Sequence, residues 1–503
     1  MDGLSQGATM VRLRAVLAWM GGGVAPPSRR GVAFWLVTAL LGLLLPAPVA
    51  VAVVVARLRR GRGGTRALAG GAPPARGTVM RTAIPERRLL FLIGAVLFVN
   101  ILDFMMVMPL GPDFARALGI PTSQLGLVGA SYTAAAAVAG MAGALVLDRF
   151  DRRKALGVVL AGLVIGTAAG ALATGLASML AARIVAGAFG GPATSLSLAI
   201  VSDVVPAERR GRAMGSVLGA FAVASVLGVP AGLELAQLGG WRLPFLAVAG
   251  LGAILAGTAV LVLPPLEVHL RAGRGAPSAA VEVLRRPTAL LALLAMAALM
   301  TGQFALVPNI AAYWQFNLAY PREHLGLLFV LGGLVSFGAM RLAGQLADRV
   351  GVAASAAAAT VFYLGVLFAA FIFPAREPQA LALFVTFMAA SSFRMVPMQA
   401  LSSRVPGATE RAGFLSLQSV VQHLGSAVGA FTASRMLWQL PASRLGGMDR
   451  VAWLAAALAA AVPGLLWLLE VRVRRGEGES GQLARETTHR PAAAPQSLAE
   501  RPG

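Results

Sequence analysis

Twelve apolar runs, each of about 20 residues, follow one another through most of this 503-residue chain. A helix rises about 1.5 Å per residue, so each run is long enough to cross the hydrocarbon core of a bilayer. The runs do not alternate apolar and polar residues, as the strands of a membrane barrel do. They cover residues 89–110, 124–147, 155–174, 179–204, 213–238, 243–263, 288–314, 324–347, 352–373, 380–401, 412–438 and 450–471. The sequence therefore predicts an all-α polytopic membrane protein with twelve transmembrane helices.

The composition excludes several classes of protein. Charged residues make up 13% and hydrophobic residues 57% of the chain, whereas soluble domains hold about 25% charged residues. Cysteine is absent and the four histidines form no zinc motif, so we expect no metal and no cofactor. The basic residues that give the net charge of +22 lie between the apolar runs. They form no stripe with aromatic residues, so we expect no nucleic-acid partner.

Basic residues are distributed unevenly between the two sets of connections. The connections after the even-numbered runs hold 14 of them, namely Arg149, Arg152, Arg153, Lys154, Arg209, Arg210, Arg212, Arg271, Arg274, Arg285, Arg286, Arg349, Arg404 and Arg411. The opposite connections hold 6, namely Arg116, Arg242, Arg322, Arg376, Arg444 and Arg450. Cytoplasmic connections carry the excess of Lys and Arg. We therefore predict a protein of the cytoplasmic membrane, with both ends of the twelve-helix core in the cytoplasm.

Residues 1–88 form a basic N-terminal extension. They hold 13 Arg against Asp2 and Glu86, which is a net charge of +11 and half of the total. The apolar run 31–56 inside the extension is long enough to span, and five arginines follow it as a positive flank. Two interpretations follow: an extra N-terminal helix, or a segment outside the core with the functional chain starting at Met80. A cleaved signal peptide is disfavoured because the run is too long.

The chain divides into two similar halves. The longest basic connection, 264–287, separates six runs in 89–263 from six runs in 288–471, and a polar tail, 472–503, follows. The segment DRFDRRK begins at Asp148 after the second run, and DRVG begins at Asp348 after the eighth, an offset of 200 residues. Arg183 in the fourth run and Arg394 in the tenth form a second pair. These repeats predict two six-helix bundles.

Charged residues inside the runs are candidates for a transport pathway, because a buried charge is expensive in a membrane. Asn100 and Asp103 lie on one face of the first run, and Asp103 is about 21 Å along a helix from position 89, beyond the midplane. Arg183 either faces a partner or reaches back to the membrane surface. Arg394, near the bilayer centre, needs a carboxylate, a carbonyl oxygen or an anionic substrate. Asp103 is the candidate proton carrier, or else a polar residue reached by water near the surface.

Further residues add to this pattern. Tyr132, Gln303 and Asn309 could supply hydrogen bonds to a central cavity, or pack helices together. The fifth run carries Gly219, Gly228, Pro230 and Gly232, in which glycines permit close helix packing and the proline bends the helix.

With these motifs the sequence resembles the major facilitator superfamily, and within it the twelve-helix drug/proton antiporters and sugar-efflux permeases, over about residues 85–471. The family pattern G-x-x-x-D-R-x-G-R-R is matched by Ala144, Asp148, Arg149, Asp151, Arg152 and Arg153, with two glycines replaced. The second copy has Gly344, Asp348, Arg349 and Gly351. Arg183 followed by Gly187 resembles the family pattern of the fourth helix, and the fifth run resembles the antiporter motif, which in the family is associated with sealing an exporter against leak.

The resemblance implies a secondary active transporter that exports a small molecule by alternating access and is driven by protons. The motif residues Asp148, Arg149, Arg152, Arg153, Asp348 and Arg349 would form a conformational latch, paired in one state and released in the other. An importer or symporter is the alternative within the class. A membrane-embedded enzyme or a transport-dead sensor is the alternative outside it, but the intramembrane titratable groups are sparse. We expect protons, a small molecule and the bilayer as partners, and a monomeric state.

Overall fold

The computed structural model describes residues 85–266, 285–373, 379–406 and 411–488. The apolar run 31–56, the Met80 start and most of the linker 264–287 lie outside the described residues. The side chains of several helical residues, including Ala144, Asp148 and those of 476–488, lie outside the described part as well.

Twelve long helices run through the described residues. They are α1 (Glu86–Met106), α2 (Leu125–Val146), α3 (Arg152–Ala171), α4 (Leu176–Val204), α5, α6 (Arg242–Val262), α7 (Pro287–Ala312), α8 (Leu325–Val350), α9 (Val352–Leu367), α10 (Ala380–Ser402), α11 (Arg411–Met436) and α12 (Met448–Thr488). Helix α5 is composed of Ala207–Leu218, Ala220–Val223, a π-helical turn Ala224–Gly228 and Val229–Gly239. Similar π-helical turns, Tyr313–Asn317 and Phe368–Ile372, extend α7 and α9.

Eleven of the twelve helices are long and apolar enough to cross a membrane by length and composition. The exception is α11, whose sequence includes Gln418, Gln422 and His423. This helix packs between α2 and α7, so its polar residues have protein neighbours. The architecture confirms the predicted all-α polytopic fold.

Three helix boundaries differ from those that the apolar runs predict. Helix α1 ends at Met106, before Pro109, and a separate short helix, Gly111–Leu118, follows it. Helix α5 begins at Ala207, six residues before the predicted run, because Pro206 is well suited to a helix start and the polar residues after it continue the helix. Helix α12 continues to Thr488, so that part of the predicted polar tail is helical. Hydropathy marks only the apolar part of a helix and misses polar extensions.

The helices form two halves, α1–α6 and α7–α12. In the first half α4 packs against α2 and α3, and α6 packs against α1 and α3. In the second half α8 and α9 pack against α10, and α12 packs against α7 and α9. The halves meet where α2 contacts α11 and where the last part of α5 contacts α8.

Each half has a basic end and an opposite end. We call the end with the connections after α2, α4, α6, α8 and α10 the basic end, and the other the opposite end. At the opposite end a two-stranded antiparallel hairpin, β1 (Trp438–Gln439) and β2 (Leu445–Gly446), joins α11 to α12, with Trp438 opposite Gly446. Large apolar side chains such as Val138, Ile165 and Leu261 are exposed on the outside of the bundle, where lipid would cover them.

Pro230 accounts for the irregular middle of α5. Proline has no N–H and cannot donate the usual helical hydrogen bond to the residue four positions earlier. The π-helical turn Ala224–Gly228 ends two positions before Pro230. The sequence prediction of a bend at this proline thus agrees with a local change of helix geometry.

Candidate functional site

A buried ion pair lies inside the first half. Arg183 of α4 donates from its two terminal nitrogens to the two carboxylate oxygens of Asp103 of α1, at 3.0 and 3.1 Å. The exposed fraction is 0% for Asp103 and 1% for Arg183. Two parallel hydrogen bonds between a guanidinium and a carboxylate fix the relative position of both groups. The interpretation of Arg183 as a residue that reaches the membrane surface is therefore wrong for this structure.

Neutral side chains complete the surroundings of the ion pair. Thr167 of α3 donates its hydroxyl to Asp103 at 2.7 Å. The guanidinium of Arg183 lies 4.5 Å from the ring centre of Tyr132 on α2. The Tyr132 hydroxyl donates in turn to the side-chain oxygen of Asn100 at 3.3 Å. Four helices thus contribute to one buried polar network.

Asn100 attaches this network to α4 at a second place. Its amide nitrogen donates to the backbone oxygen of Gly190 at 3.0 Å and to the hydroxyl of Thr194 at 2.9 Å. Asn100 and Asp103 therefore face the same neighbouring helix, as their spacing predicts. Both hydrogen-bond donors of the amide are used, so the side chain has one fixed orientation.

Glycines on α4 allow α2 to lie against it. A Cβ atom at position 187 would lie within 2.9 Å of the backbone carbon and Cα of Tyr132, and closer still to its carbonyl oxygen. Such contacts leave no room for a side chain. The absence of a Cβ at Gly187 is what permits the Tyr132 ring to reach Arg183.

Arg394 lies in the second half, apart from this network. Its guanidinium lies 4.2 Å from the ring centre of Tyr363 on α9. Its exposed fraction is 4%, and its Nε has no hydrogen-bond partner in the described part of the chain. A cation–π contact stabilises a desolvated cation by about 2 kcal/mol, whereas removing the partner of a buried ion pair costs about 3–5 kcal/mol. Arg394 is therefore a buried cation that the described side chains compensate only in part.

The halves also meet through aromatic rings next to the buried network. Phe104, adjacent to Asp103, lies 5.2 Å from Tyr132 and 5.9 Å from Phe304 of α7 between ring centres. Asn309 of α7 is fully buried and donates to the backbone oxygen of Ala305 at 3.4 Å, and Gln303 is half-buried. These two residues are not in contact with Asp103 or Arg394 by any hydrogen bond among the described residues.

The predicted latch residues after α2 contact their own half. Arg152 pairs with Asp203 at the end of α4, and Arg153 donates to the Leu263 carbonyl at the end of α6 at 3.3 Å. Arg149 is exposed, and Asp148 belongs to the short 3-10 turn Leu147–Arg149.

Asp151, which replaces a glycine of the family pattern, has a clear structural use. Its carboxylate accepts from the backbone N–H of Arg153 at 2.9 Å and from that of Leu266 at 2.9 Å. It therefore caps the N-terminus of α3 and attaches the end of α6 to it.

The second copy of the motif is built differently. Asp348 and Arg349 are exposed at the end of α8. Gly351 has a φ of +91°, a conformation that favours glycine. The start of α9 is capped from α12, since the Ala353 N–H donates to Glu470 at 2.8 Å.

The motif of α5 makes one close contact. A Cβ atom at position 228 would lie 2.8 Å from Leu102 of α1, whereas one at position 232 would be in ordinary contact with Met106 at 3.8 Å. Gly219 is followed directly by the next helical segment. Gly228 and Pro230 thus shape the contact between α5 and α1.

The sequence did not identify two residues that contact the buried charges, nor an ion pair that joins the two halves. Thr167 and Tyr363 are single polar residues among many, and no spacing distinguishes them. Asp113, in the helix after α1, and Arg322, before α8, form an ion pair between the halves. They lie 209 residues apart, in two connections between apolar runs, and no sequence pattern links them.

The fold defines a multi-pass membrane protein built of two six-helix halves. A family model described as Major Facilitator Superfamily matches residues 93–430. The chain belongs to this superfamily, whose members are transporters.

Relatives of known name agree with this assignment. The chain is 30% identical over 356 residues to a chloramphenicol resistance protein of Streptomyces lividans, which covers 69% of this chain and 88% of that protein. It is 30% identical over 330 residues to the inner membrane transport protein YdhP of Escherichia coli strain K12, which covers 64% of this chain and 82% of that protein.

Solved structures show the same fold at lower identity. A D-xylose–proton symporter has a TM-score of 0.60 and 18% identity, covering 75% of this chain and 96% of that one. A bacterial homologue of the human lysosomal transporter Spinster, in an inward-facing conformation, has a TM-score of 0.58 and 17% identity, covering 77% of this chain and 94% of that one.

Proposed function

We propose that this protein exports a small molecule across the cytoplasmic membrane in exchange for protons. The observation that carries the proposal is the buried Asp103–Arg183 pair: a carboxylate with an exposed fraction of 0% inside a membrane-spanning half. Such a group binds or releases a proton only when the protein gives it access to water. Export is favoured over import by the glycine and proline pattern of α5 and by the relative named for chloramphenicol resistance.

Proton exchange at Asp103 would change the polar network around it. In the present state Asp103 accepts from Arg183 and from Thr167. Protonation removes the charge that pairs with Arg183, so the guanidinium has to find another partner or be hydrated. Because Arg183 also contacts Tyr132 on α2, this rearrangement would reach the helix that faces the second half.

Alternating access is supported by where the two halves touch. At the opposite end the Thr122 N–H donates to Gln439 at 2.9 Å, and the Thr122 hydroxyl donates to the Ser443 carbonyl at 3.1 Å. At the basic end, the ion pairs Arg152–Asp203 and Arg209–Glu86 lie within the first half. We interpret this as the state closed at the opposite end. From the excess of positive charge we infer that the basic end faces the cytoplasm.

Replacing Asp103 tests the proton coupling. Proteoliposomes that contain the Asp103→Asn variant should fail to concentrate chloramphenicol, or another substrate found by screening drugs and sugars, against a gradient when a pH difference is imposed. Downhill exchange of the same compound should continue, because the pocket remains. Asp449→Asn, at the exposed start of α12, is the control for loss of one acid and should behave as the unmodified chain.

Two results would change the proposal. If Asp103→Asn vesicles still concentrate the compound, Asp103 is not the carrier and Glu234 of α5 is the next carboxylate to test. If the unmodified chain concentrates no compound in either direction, the exporter proposal fails.

For the substrate itself, we propose that Arg394 and Tyr363 contact it, so that Arg394→Ala should weaken its binding.

A further inference from the structure

One ion pair at the opposite end joins the two halves. Arg322 precedes α8 in the second half, and its Nε donates to both carboxylate oxygens of Asp113 in the first half at 2.9 Å. One terminal nitrogen of Arg322 also contacts Asp113 and the Leu233 carbonyl of α5. The side chains of Arg322 and Asp113 are 21% and 19% exposed. Two parallel bonds and partial burial distinguish this pair from a solvated surface contact.

The first half presents negative charge to this arginine from two elements. Asp113 lies in the first turn of the helix Gly111–Leu118, where the helix dipole favours an acid. Glu234 of α5 faces α8, since a Cβ atom at Gly326 would lie 2.8 Å from its carboxylate oxygen. Arg322 is thus a cation of the second half inserted beside two acids of the first.

The other ion pairs formed between described residues lie within one half. Arg152–Asp203, Arg183–Asp103 and Arg209–Glu86 belong to the first half, and Arg474–Glu470 belongs to the second. A contact within one half moves with that half and does not have to break when the halves rotate. The Asp113–Arg322 pair lies between them and does have to break.

We propose that Arg322 is the gating residue of the opposite end. Its insertion between Asp113 and the Leu233 carbonyl holds that end closed, and its withdrawal accompanies each opening. The inference rests on the alternating-access function proposed above. It adds a charged gate to that function, because the strength of this pair sets the fraction of molecules open at the opposite end.

The test is a double-mutant cycle read by thiol labelling. The chain has no cysteine, so Ser434→Cys introduces a single reporter on α11. Ser434 faces Gly126 of α2 at the opposite end, where the halves are in contact. The labelling rate by a membrane-impermeant maleimide is measured on the purified full chain in detergent, with no substrate and no pH gradient.

Asp113→Asn and Arg322→Gln should each raise the labelling rate of the reporter about ten-fold. A change of this size lies within the usual range of interaction energies between directly paired residues. The double variant should be labelled no faster than either single variant, because both changes remove the same contact. Arg450→Gln is the matched control. Arg450 is an exposed cation at the same end, and its guanidinium lies 5.2 Å from the ring centre of Trp438 in its own half, so its loss should leave the rate unchanged.

Two outcomes overturn the gate. The first is labelling of both single variants at the rate of the unmodified chain. The second is a labelling rate in the double variant that equals the product of the two single increases, because the two residues would then act independently. Where a single variant does not fold, the exchange Asp113→Arg with Arg322→Asp decides: slow labelling in a folded exchange variant supports the pair, and fast labelling refutes it. The measurement needs no transport, so a failure of proton coupling in Asp103→Asn leaves the result on the gate unaffected.

Discussion

Replacing Gly187 by alanine should disturb the Asp103–Arg183 site without changing any residue of it. Gly187 lies on α4 one turn after Arg183, and α2 passes directly over it at Tyr132. A Cβ atom at 187 would lie 2.9 Å from two backbone atoms of Tyr132, well inside the contact distance of about 3.5 Å at which carbon atoms attract. Backbone atoms cannot rotate away, so the two helices have to separate.

The size of the effect follows from this geometry. Relief of the overlap requires a separation of roughly 1 Å between α2 and α4, and overpacking of this kind lowers the free energy of unfolding by about 1–3 kcal/mol. The movement also carries the Tyr132 ring away from Arg183, 4.5 Å from it, and strains the 3.3 Å hydrogen bond to Asn100. We therefore expect both lower stability and slower transport.

Gly250→Ala provides the matched control, because a Cβ atom at Gly250 of α6 would meet nothing within 4 Å. Thermal unfolding of both variants, purified in detergent, measures stability, and transport in proteoliposomes measures activity. Gly187→Ala should unfold at a lower temperature and Gly250→Ala should not. Equal stability of Gly187→Ala and the unmodified chain would refute the close approach of α2 and α4.

Three further changes test other parts of the molecule. Asp151→Ala removes the cap of α3 and its bond to Leu266, and should lower the free energy of unfolding by about 1–2 kcal/mol, whereas Asp151→Asn should retain most of it; equal denaturant midpoints for the two variants would contradict the cap. A chain that begins at Met80 should insert and transport as the full chain does, and loss of transport would show that the extension is a working part. Asp148→Asn should reduce turnover more than substrate affinity, because the latch acts on the equilibrium between states; unchanged cysteine labelling from both sides of the membrane would count against it.

Hydropathy was sufficient to predict the fold, because each spanning helix must satisfy its own backbone and present apolar side chains to lipid. The same rule explains the misplaced boundaries. The first turns of α5, from Ala207, are polar and lie at the end of the bundle, where no lipid constrains them. The end of α12 is polar for the same reason.

The site was predictable in part. A buried charge must have a partner, so Asp103 and Arg183 were identified as functional candidates from the sequence. Their pairing with each other depends on the rotation and tilt of α1 and α4, which no local pattern specifies. Asp151 shows a missed local signal: its position directly before α3 is that of a helix cap. Its second bond, to Leu266, joins residues 115 apart and could not be read from spacing.

The distribution of contacts separates what is fixed in this protein from what can switch. The paired charges of Asp103 and Arg183, fully buried, lie inside one half, where breaking the pair by removing one partner would cost about 3–5 kcal/mol. The polar contacts between the halves at the opposite end include the partly exposed Asp113–Arg322 pair and the two hydrogen bonds of Thr122, next to the packing of α2 on α11. At about 0.5–1.5 kcal/mol for each neutral bond and about 1–2 kcal/mol for a partly exposed ion pair, these three polar contacts together contribute only a few kcal/mol. Proton and substrate binding can supply differences of this size. This distribution supports the proposal that the halves move as rigid bodies, in which the charges inside each half stay paired while the polar bonds between the halves open and close.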